Sequence, residues 1–144
     1  LPYVREAIGP IHVSIAGSNP NNVVLELAGS DVEVHGYVTD AELVTLYSRA
    51  ACAVVPLRFG AGVKGKVLEA VRYGIPLVTT SVGAEGIPDA ESVMAIADDA
   101  QTFADRVIDQ ITVNARAKIP NGNWLAQHFS SRVAKSALER LLDA

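Results

Sequence analysis

The fold is decided by the stretch Val54-Val55-Pro56-Leu57-Arg58-Phe59-Gly60-Ala61-Gly62-Val63-Lys64-Gly65-Lys66-Val67-Leu68-Glu69-Ala70, which reads in turn as a strand, a glycine loop and a helix. Glycines let backbone amides approach an anion closely, and the N-terminus of a helix carries partial positive charge. Arg58, Lys64 and Lys66 add full positive charges in an otherwise acidic chain. The stretch therefore predicts a diphosphate site.

Four residues of the predicted loop and helix share one helical face. Gly62, Lys66, Glu69 and Tyr73 fall at i, i+4, i+7 and i+11, which is one helical stripe. Lys64 and Lys66 are two residues apart and cannot share a face. Either the helix starts after Lys64, or only one lysine meets the ligand, and we favour Lys66. The alternative is that Lys66 and Glu69 form an ordinary surface ion pair.

The phosphate-loop motif of ATPases and GTPases is the nearest familiar pattern to this stretch. Residues Gly60 to Val67 fit G-x-x-x-x-G-K-[ST] up to the final position, where Val67 replaces the hydroxyl that would hold magnesium. A phosphate-loop ATPase or GTPase is therefore disfavoured, although the partial match still supports a phosphate near this helix.

Apolar runs and turn signals continue the same alternation outward from the central stretch. They predict strands near 11–16, 32–36, 52–57, 76–80 and 92–97. Strands that alternate with helices indicate an α/β fold, a Rossmann-like doubly wound parallel sheet of about five strands with helices on both faces. The run from Ala51 to Leu57 is typical of a strand covered on both sides. Ligands of such sheets bind beyond the carboxyl ends of the strands, so the loops after Ala16, His35, Leu57 and Thr80 are the candidate positions.

Capping signals place the helices. Thr39-Asp40-Ala41-Glu42 has capping-box spacing before a helix that puts Leu43, Leu46, Tyr47 and Ala50 on one face. A helix that buries Val63, Val67, Ala70 and Val71 runs to about Tyr73 and ends at Gly74. Asp99 caps a helix that turns Phe103, Val107, Ile108 and Ile111 inward. Residues Gly83 to Gly86 form a loop, and Asn121-Gly122-Asn123 interrupts the chain before a last amphipathic helix through Leu142.

Length and composition suit a single globular domain. The chain has 144 residues and a net charge of −4, so the whole surface has no electrostatic attraction for nucleic acid. The longest apolar runs are shorter than the ~18 residues of a membrane span. Cys52, the single cysteine, lies in an apolar run and is interpreted as a small core residue. The start at Leu1-Pro2, without methionine, favours a piece of a longer protein.

Together these motifs resemble the C-terminal domain of the family 4 (group 1) retaining glycosyltransferases, which have two Rossmann-like domains facing a cleft. The resemblance covers nearly the whole chain, and its specificity lies in the order and spacing of its pieces. The pieces are Ile15-Ala16-Gly17-Ser18-Asn19-Pro20, Val34-His35-Gly36-Tyr37-Val38-Thr39-Asp40, Leu46-Tyr47-Ser48-Arg49-Ala50, the run from Gly62 to Ala70, Gly74-Ile75-Pro76-Leu77-Val78-Thr79-Thr80 and Gly83-Ala84-Glu85-Gly86.

The resemblance implies an activity and its partners. Residues 1–144 would be the donor-binding half of an enzyme that moves a sugar from a nucleotide-sugar to an acceptor, with retention of configuration. The acceptor would be held by an N-terminal domain that this chain lacks. The family implies a role in polysaccharide or glycoconjugate biosynthesis, no cofactor or metal, and a cytoplasmic location in which any membrane contact runs through the other domain. We expect the isolated chain to bind nucleoside diphosphates weakly and to transfer no sugar.

The resemblance also implies roles for single residues. Glu69 matches the second glutamate of the family's E-x7-E motif, which holds the donor ribose. Main-chain groups near Gly36 and Val38 would meet the nucleobase, and Gly17 would line the floor of the cleft. The diphosphate and sugar would meet Gly60, Gly62 and Lys66, with Arg58 and Lys64 as further donor-site cations. Glu85 is either a donor contact or a solvated loop residue.

Two departures from the family pattern matter. The first glutamate of E-x7-E would fall at Ala61 and is absent, which leaves the sugar open. The absence also favours a second hypothesis, a non-catalytic nucleotide-binding or assembly module of the same fold. In addition, the family's basic phosphate-clamping residues would lie upstream of Leu1.

Other residues point away from alternative chemistries. No Asp-x-Asp pair is present, and Ser81 has neither a nucleophile-elbow pattern nor a base. His12 and His128 have no metal-ligand spacing to other candidates. His35 is interpreted as a core or hydrogen-bonded histidine rather than a ligand contact. The set Trp124, Phe129, Val133, Leu138 and Leu141 reads as a packing face, and no catalytic residue can be named.

Overall fold

The computed structural model describes residues 1–113 and 121–130. Within these residues the chain alternates short helices with short strands. The helices are α1 Pro2–Ile8, α2 Asn22–Leu25, α3 Asp40–Arg49, α4 Gly65–Tyr73, α5 Ser81–Ala84, α6 Ala100–Thr112 and α7 Asn121–Phe129. The strands are β1 Val13–Ala16, β2 Val32–Gly36, β3 Ala53–Val55, β4 Leu77–Thr79 and β5 Ala95–Ile96, and a 3₁₀ turn spans Ala90–Ser92.

The strands form two parallel ladders. In the first, β1 pairs with β2 and Val13 lies opposite Val32; in the second, the order is β3-β4-β5 and Val55 lies opposite Thr79. The predicted α/β fold with parallel strands is confirmed. The expectation of one continuous sheet is wrong, because no ladder joins β1 or β2 to β3 within the described residues. Sequence alternation indicates parallel direction, whereas the joining of strands depends on long-range pairing.

Strand β4 has helices on both of its faces. Its successive residues Leu77 and Val78 are both fully buried, and successive strand side chains point to opposite faces. Leu77 packs in one core cluster with Val67 of α4, and Val78 packs in another with Val4 of α1 and Val107 of α6. Burial of each such side chain is worth about 1.5–3 kcal/mol. The three-stranded ladder is therefore the centre of a three-layer arrangement, as predicted.

The capping signals are confirmed. The Thr39 hydroxyl accepts from the Glu42 backbone N–H, while the Glu42 carboxylate accepts from the Thr39 N–H at 2.7 Å. Asp99 accepts from the Thr102 N–H at 2.9 Å and starts α6. Gly74 ends α4 in the left-handed conformation at φ 71°. Each signal acts within four residues, so the local sequence specifies it without help from the rest of the fold.

The predicted buried helix faces are largely confirmed. Val67, Ala70 and Val71 of α4 are buried, and α6 packs its four predicted side chains into one core cluster. Val63 is exposed, because α4 begins only at Gly65. In α3 the predicted face is half-buried, and Ala50 lies exposed just beyond the helix.

The strands are shorter than predicted. The run 52–57 is reduced to β3, which ends where Pro56 has no N–H to donate. Val54 is 45% exposed, so the expectation that this strand is covered on both faces is wrong. The run 92–97 is reduced to β5, because Ser92 belongs to the 3₁₀ turn and bonds back to the Asp89 carbonyl.

Two predicted breaks are helical instead. Gly83 and Ala84, expected in a loop, are the last residues of α5, because the Thr80 hydroxyl caps that helix by accepting from the Gly83 N–H at 3.2 Å. The predicted interruption at Asn121 is wrong too, since α7 starts there. The rest of the expected last helix, with Val133, Leu138 and Leu141, lies outside the described residues.

Two further features bear on the sequence analysis. Cys52 is half-buried against the second core cluster, and burial raises the pKa of its thiol to about 12. No helix in the described part of the chain has the length and apolar composition to cross a membrane.

Candidate functional site

The glycine loop leads from β3 into α4. Gly60 has φ 130° and Gly62 has φ 71°, which are values that side-chain-bearing residues rarely adopt. Helix α4 starts at Gly65 with Lys64 as its N-cap residue, so the alternative in which the helix starts after Lys64 is confirmed. Gly62 therefore lies in the loop before the helix, whereas Lys66, Glu69 and Tyr73 lie within it.

The N-terminus of α4 is open to an anion. Lys64 makes no side-chain capping bond, and the first turn carries no acidic residue. The first turn of a helix has backbone N–H groups without intrahelical acceptors, and the helix dipole favours negative charge there. This end of α4 has the chemistry that a phosphate group requires.

Lys64 is already paired in the structure. Its ammonium lies 3.2 Å from the Glu85 carboxylate and also donates to the Gly62 carbonyl. Its side chain is only 12% exposed and folds over Gly60, where a Cβ atom would stand 3.2 Å from Lys64 Cε. The structure thus brings four predicted residues together. Their present arrangement is a closed loop in which the Lys64 charge is neutralised.

Lys66 and Glu69 are not paired with each other. Among residues 1–113 and 121–130, no ion pair joins these two side chains, so the surface-pair alternative is wrong for this structure. Lys66 is exposed, and Glu69 is half-buried. Arg58, the third predicted cation, is exposed at the start of the glycine loop. Two cations therefore remain available to an anion near the start of α4.

Glu69 has a neighbour that the sequence analysis did not single out as a site residue. The Tyr47 hydroxyl of α3 donates to Glu69 Oε2 at 3.5 Å, and the Tyr47 ring stacks on Tyr73 with centroids 4.4 Å apart. Burial, and then the nearby Glu69 charge, raise the pKa of Tyr47 to about 12. The spacing of apolar residues places Tyr47 on the inward face of α3, but it does not predict which helix that face contacts.

The carboxyl ends of β1 and β2 bring the other predicted residues together. The Gly17 N–H donates to the Gly36 carbonyl at 2.8 Å, and Gly36 has φ 68°. Val38 follows as a half-buried residue, and Tyr37 between them is 76% exposed. Within the described residues, no hydrogen bond or ion pair links this group to the glycine loop.

His35 is partly buried, as the core interpretation expects. Its Nδ1 lies 3.6 Å from the Glu33 carboxylate, and its Nε2 is buried without a hydrogen-bond partner among the described residues. No group of three or more His, Cys, Asp or Glu side chains in that part of the chain is arranged to hold a metal ion.

The loop after β4 is tied to the end of β3. The Thr79 hydroxyl donates to the Val55 carbonyl at 2.8 Å, and the Thr80 hydroxyl donates to the Leu57 carbonyl at 2.6 Å. A Cβ atom on Gly86 would stand 3.1 Å from Val63, so this loop packs closely on the glycine loop. These contacts hold Glu85 within reach of Lys64.

An open depression lies elsewhere, between the 3₁₀ turn and α7. Its lining includes Asp89, Glu91, Trp124 and His128, and it contains none of the residues that the sequence predicts for the donor. Trp124 belongs to the first core cluster. The depression therefore lies apart from the glycine loop, although Trp124 packs in the same cluster as Val67 of α4.

Comparisons with known proteins relate the chain to one family. The family described as "Glycosyl transferases group 1" matches residues 1–112. A protein of Klebsiella pneumoniae, described as "Uncharacterized 44.6 kDa protein in cps region", is 31% identical over 116 residues. That match covers 75% of this chain and 30% of the relative, so the chain spans less than a third of the relative's length. No solved structure gives a significant match.

Proposed function

The chain belongs to the group 1 glycosyltransferases, and we propose that it supplies the nucleotide-sugar-binding half of such an enzyme. The sugar would pass from the donor to an acceptor held by a second domain, with retention of configuration. The relative in the cps region favours polysaccharide or glycoconjugate biosynthesis as the setting. The base and the sugar of the donor are left open by the residues at this site.

The observation that carries this proposal is the uncapped N-terminus of α4 directly after the glycine loop. The first turn has neither a capping side chain nor an acidic residue, and a Cβ atom on Gly62 would meet nothing within 4 Å, so there is space for a ligand beside it. A diphosphate placed here would accept bonds from backbone N–H groups at the positive end of the helix dipole. Because the net charge of the chain is −4, the attraction for a diphosphate has to come from local groups such as these.

The two lysines take different parts in the proposed site. Lys66 is exposed and has no ion-pair partner among the described residues, so it is available to the diphosphate. Lys64 is neutralised by Glu85 and closes the loop over Gly60. Lys64 could reach the ligand only by giving up the Glu85 carboxylate. We therefore assign Lys66 to the diphosphate and Lys64 to the shape of the loop.

Glu69 lies on α4 beyond the diphosphate-binding turn. An ionised carboxylate is an acceptor on both oxygens, which suits two neighbouring ribose hydroxyls. Glu69 is half-buried, so part of its side chain remains open to solvent and to a ligand. In this proposal the first-turn amides and Lys66 bind the phosphates of a nucleoside diphosphate, and Glu69 binds its ribose.

The proposed chemistry is loss of the diphosphate from the sugar. Positive charge would develop on the sugar ring and negative charge on the leaving diphosphate. The α4 N-terminus and Lys66 would stabilise that negative charge more strongly in the transition state than in the ground state, which lowers the barrier. No residue of the chain is assigned as a base for the acceptor.

Ala61 supports a second candidate function, a non-catalytic nucleotide-binding module. It occupies the position where the family resemblance expects a glutamate that contacts the transferred sugar. A module of this kind would bind the nucleoside diphosphate as well as the nucleotide-sugar, because it would make no contact with the sugar. An enzyme would gain affinity from the sugar.

The test is calorimetric titration of the 144-residue chain with uridine, guanosine and adenosine diphosphates, followed by the same bases as nucleosides. Glu69→Gln should weaken nucleoside and diphosphate alike by about 1–3 kcal/mol, because a neutral acceptor replaces a charged one. Lys66→Ala should weaken only ligands that carry the diphosphate, by about 1–2 kcal/mol.

Matched controls come from the same surface. Arg72→Ala removes an exposed positive charge from the last turn of α4, and Glu91→Gln removes an exposed carboxylate from the 3₁₀ turn. Both should leave affinity unchanged. If Glu69→Gln and Lys66→Ala also leave the affinity of every diphosphate unchanged, this site is not the donor site.

A further inference from the structure

One contact at the proposed site has no role assigned to it so far, the one between Tyr47 and Glu69. Tyr47 lies on α3, whereas Glu69 and Tyr73 lie on one face of α4 at i and i+4. The hydroxyl of Tyr47 is 3.5 Å from Glu69 Oε2, and its ring stacks on Tyr73 at 4.4 Å with an interplanar angle of 18°. Both side chains of the hydrogen bond are about half-buried.

We propose that Tyr47 is a positioning residue that holds the Glu69 carboxylate in the orientation that accepts the ribose hydroxyls of a nucleoside diphosphate. This inference rests on the proposed function, and it adds to that site a residue from a second helix. Tyr47 acts through Glu69 and makes no contact with the ligand itself.

The stack makes Tyr47 suited to this task. A tyrosine has only two side-chain torsions, and the parallel contact with Tyr73 fixes the ring plane, so the position of the hydroxyl is set by the packing of α3 on α4. A glutamate has a longer, flexible side chain, whose ordering costs conformational entropy. A hydroxyl held at a fixed position restricts Glu69 before any ligand arrives, which reduces that cost on binding.

The chemistry of the carboxylate leaves room for both partners. An ionised glutamate has acceptor sites on two oxygens, and the Tyr47 hydroxyl uses one of them on Oε2. Oε1 and the remaining site on Oε2 stay available for two ribose hydroxyls. Since Tyr47 remains protonated throughout the neutral range, it can serve only as the donor in this pair.

The alternative is a simple tie between two helices with no bearing on a ligand. The distance of 3.5 Å is at the long limit of a hydrogen bond, and such bonds in unliganded sites often shorten when the ligand arrives. A structural tie would affect the stability of the chain but would not distinguish ligands with ribose hydroxyls from ligands without them. That distinction supplies the test.

The experiment uses Tyr47→Phe, which removes the hydroxyl and keeps the stacked ring, and Tyr73→Phe as the matched control on the other ring of the stack. The tightest of the uridine, guanosine and adenosine diphosphates is titrated beside its 2′,3′-dideoxy analogue. Tyr47→Phe should weaken binding of the ribose form about three- to tenfold, as expected for one hydrogen bond, and leave the dideoxy form unchanged. Tyr73→Phe should change neither.

A double variant completes the test. In the Glu69→Gln background, Tyr47→Phe should add less than about a twofold loss, because the carboxylate it positions is gone. Equal weakening of ribose and dideoxy ligands would overturn the proposal, and so would tighter binding by Tyr47→Phe, which would mean that the hydroxyl blocks the carboxylate. If Glu69→Gln weakens the ribose and the dideoxy diphosphate equally, or neither of them, the proposed donor site itself fails. If Glu69→Gln separates them and Tyr47→Phe does not, only the positioning role fails.

Discussion

Gly83→Ala should lower the free energy of unfolding, although it adds only one methyl group. A Cβ atom on Gly83 would stand 1.9 Å from Thr79 Oγ1 and 3.2 Å from Thr79 Cβ. Thr79 is fully buried, and its hydroxyl donates to the Val55 carbonyl at 2.8 Å. The added methyl group therefore has no room unless Thr79 rotates or α5 moves away from β4.

The magnitude follows from those two contacts. Forcing an extra methyl group into a packed site costs about 1–3 kcal/mol. Rotating the threonine away removes the donor to a buried carbonyl, which costs about another 1–3 kcal/mol. Because partial relaxation makes the two costs overlap, we expect a loss of about 2–5 kcal/mol. That is a large share of the about 5–15 kcal/mol that stabilises a typical domain.

The assay is urea denaturation followed by circular dichroism and by the fluorescence of Trp124, the single tryptophan. Gly29→Ala is the matched control, because a Cβ atom there would meet nothing within 4 Å and the backbone needs no positive φ. The control should change the free energy of unfolding by less than about 0.5 kcal/mol. In a Thr79→Ala background, which removes the colliding hydroxyl, Gly83→Ala should cost much less than it does alone. A cost equal to that of Gly29→Ala, or strict additivity with Thr79→Ala, would refute the packing argument.

Two further predictions concern titratable groups. The backbone N–H of Thr102, and then its side chain, lower the pKa of Asp99 below 3.8, so its stabilising effect is present above that pH and is lost as the pH falls through the folded value. Asp99→Asn, which still caps α6, should flatten the fall in unfolding free energy below about pH 5; an unchanged slope would contradict this. Burial raises the pKa of Cys52 to about 12, so at about pH 8 dithiodipyridine should label the thiol in urea and leave the folded chain unlabelled over minutes. Rapid labelling of the folded chain would show that Cys52 is accessible.

The sequence predicts what is decided locally. Thr39 and Glu42, Asp99 and Thr102, and the left-handed Gly74 each act within a few residues, and the structure confirms all three signals. The parallel direction of the strands also follows from their alternation with helices. The glycine loop before α4 can also be predicted from the local sequence, because its positive φ angles are ones that few residues other than glycine adopt.

Contacts between distant segments could not be read from the sequence. The Lys64–Glu85 pair joins residues 21 positions apart, and the Tyr47–Glu69 bond joins residues 22 apart. Nothing in the spacing within α4 distinguishes a Glu69 that faces Lys66 from one that faces Tyr47 of another helix. The division of the strands into two ladders could not be predicted for the same reason, because strand pairing depends on contacts between segments that are distant in sequence.

Those two ladders have a consequence for handling the protein. Within the described residues β3 pairs on one side only, with β4, and its three residues are all apolar, with Val54 45% exposed. Natural proteins blunt such an edge with short strands, charges, bulges or proline, and here the strand has three residues and is followed by Pro56. The unpaired side of β3 is a short template on which a strand of another molecule can dock. Concentrated samples should therefore self-associate through this edge, and a lysine in place of Val54 is the substitution that should keep the chain monomeric for calorimetry.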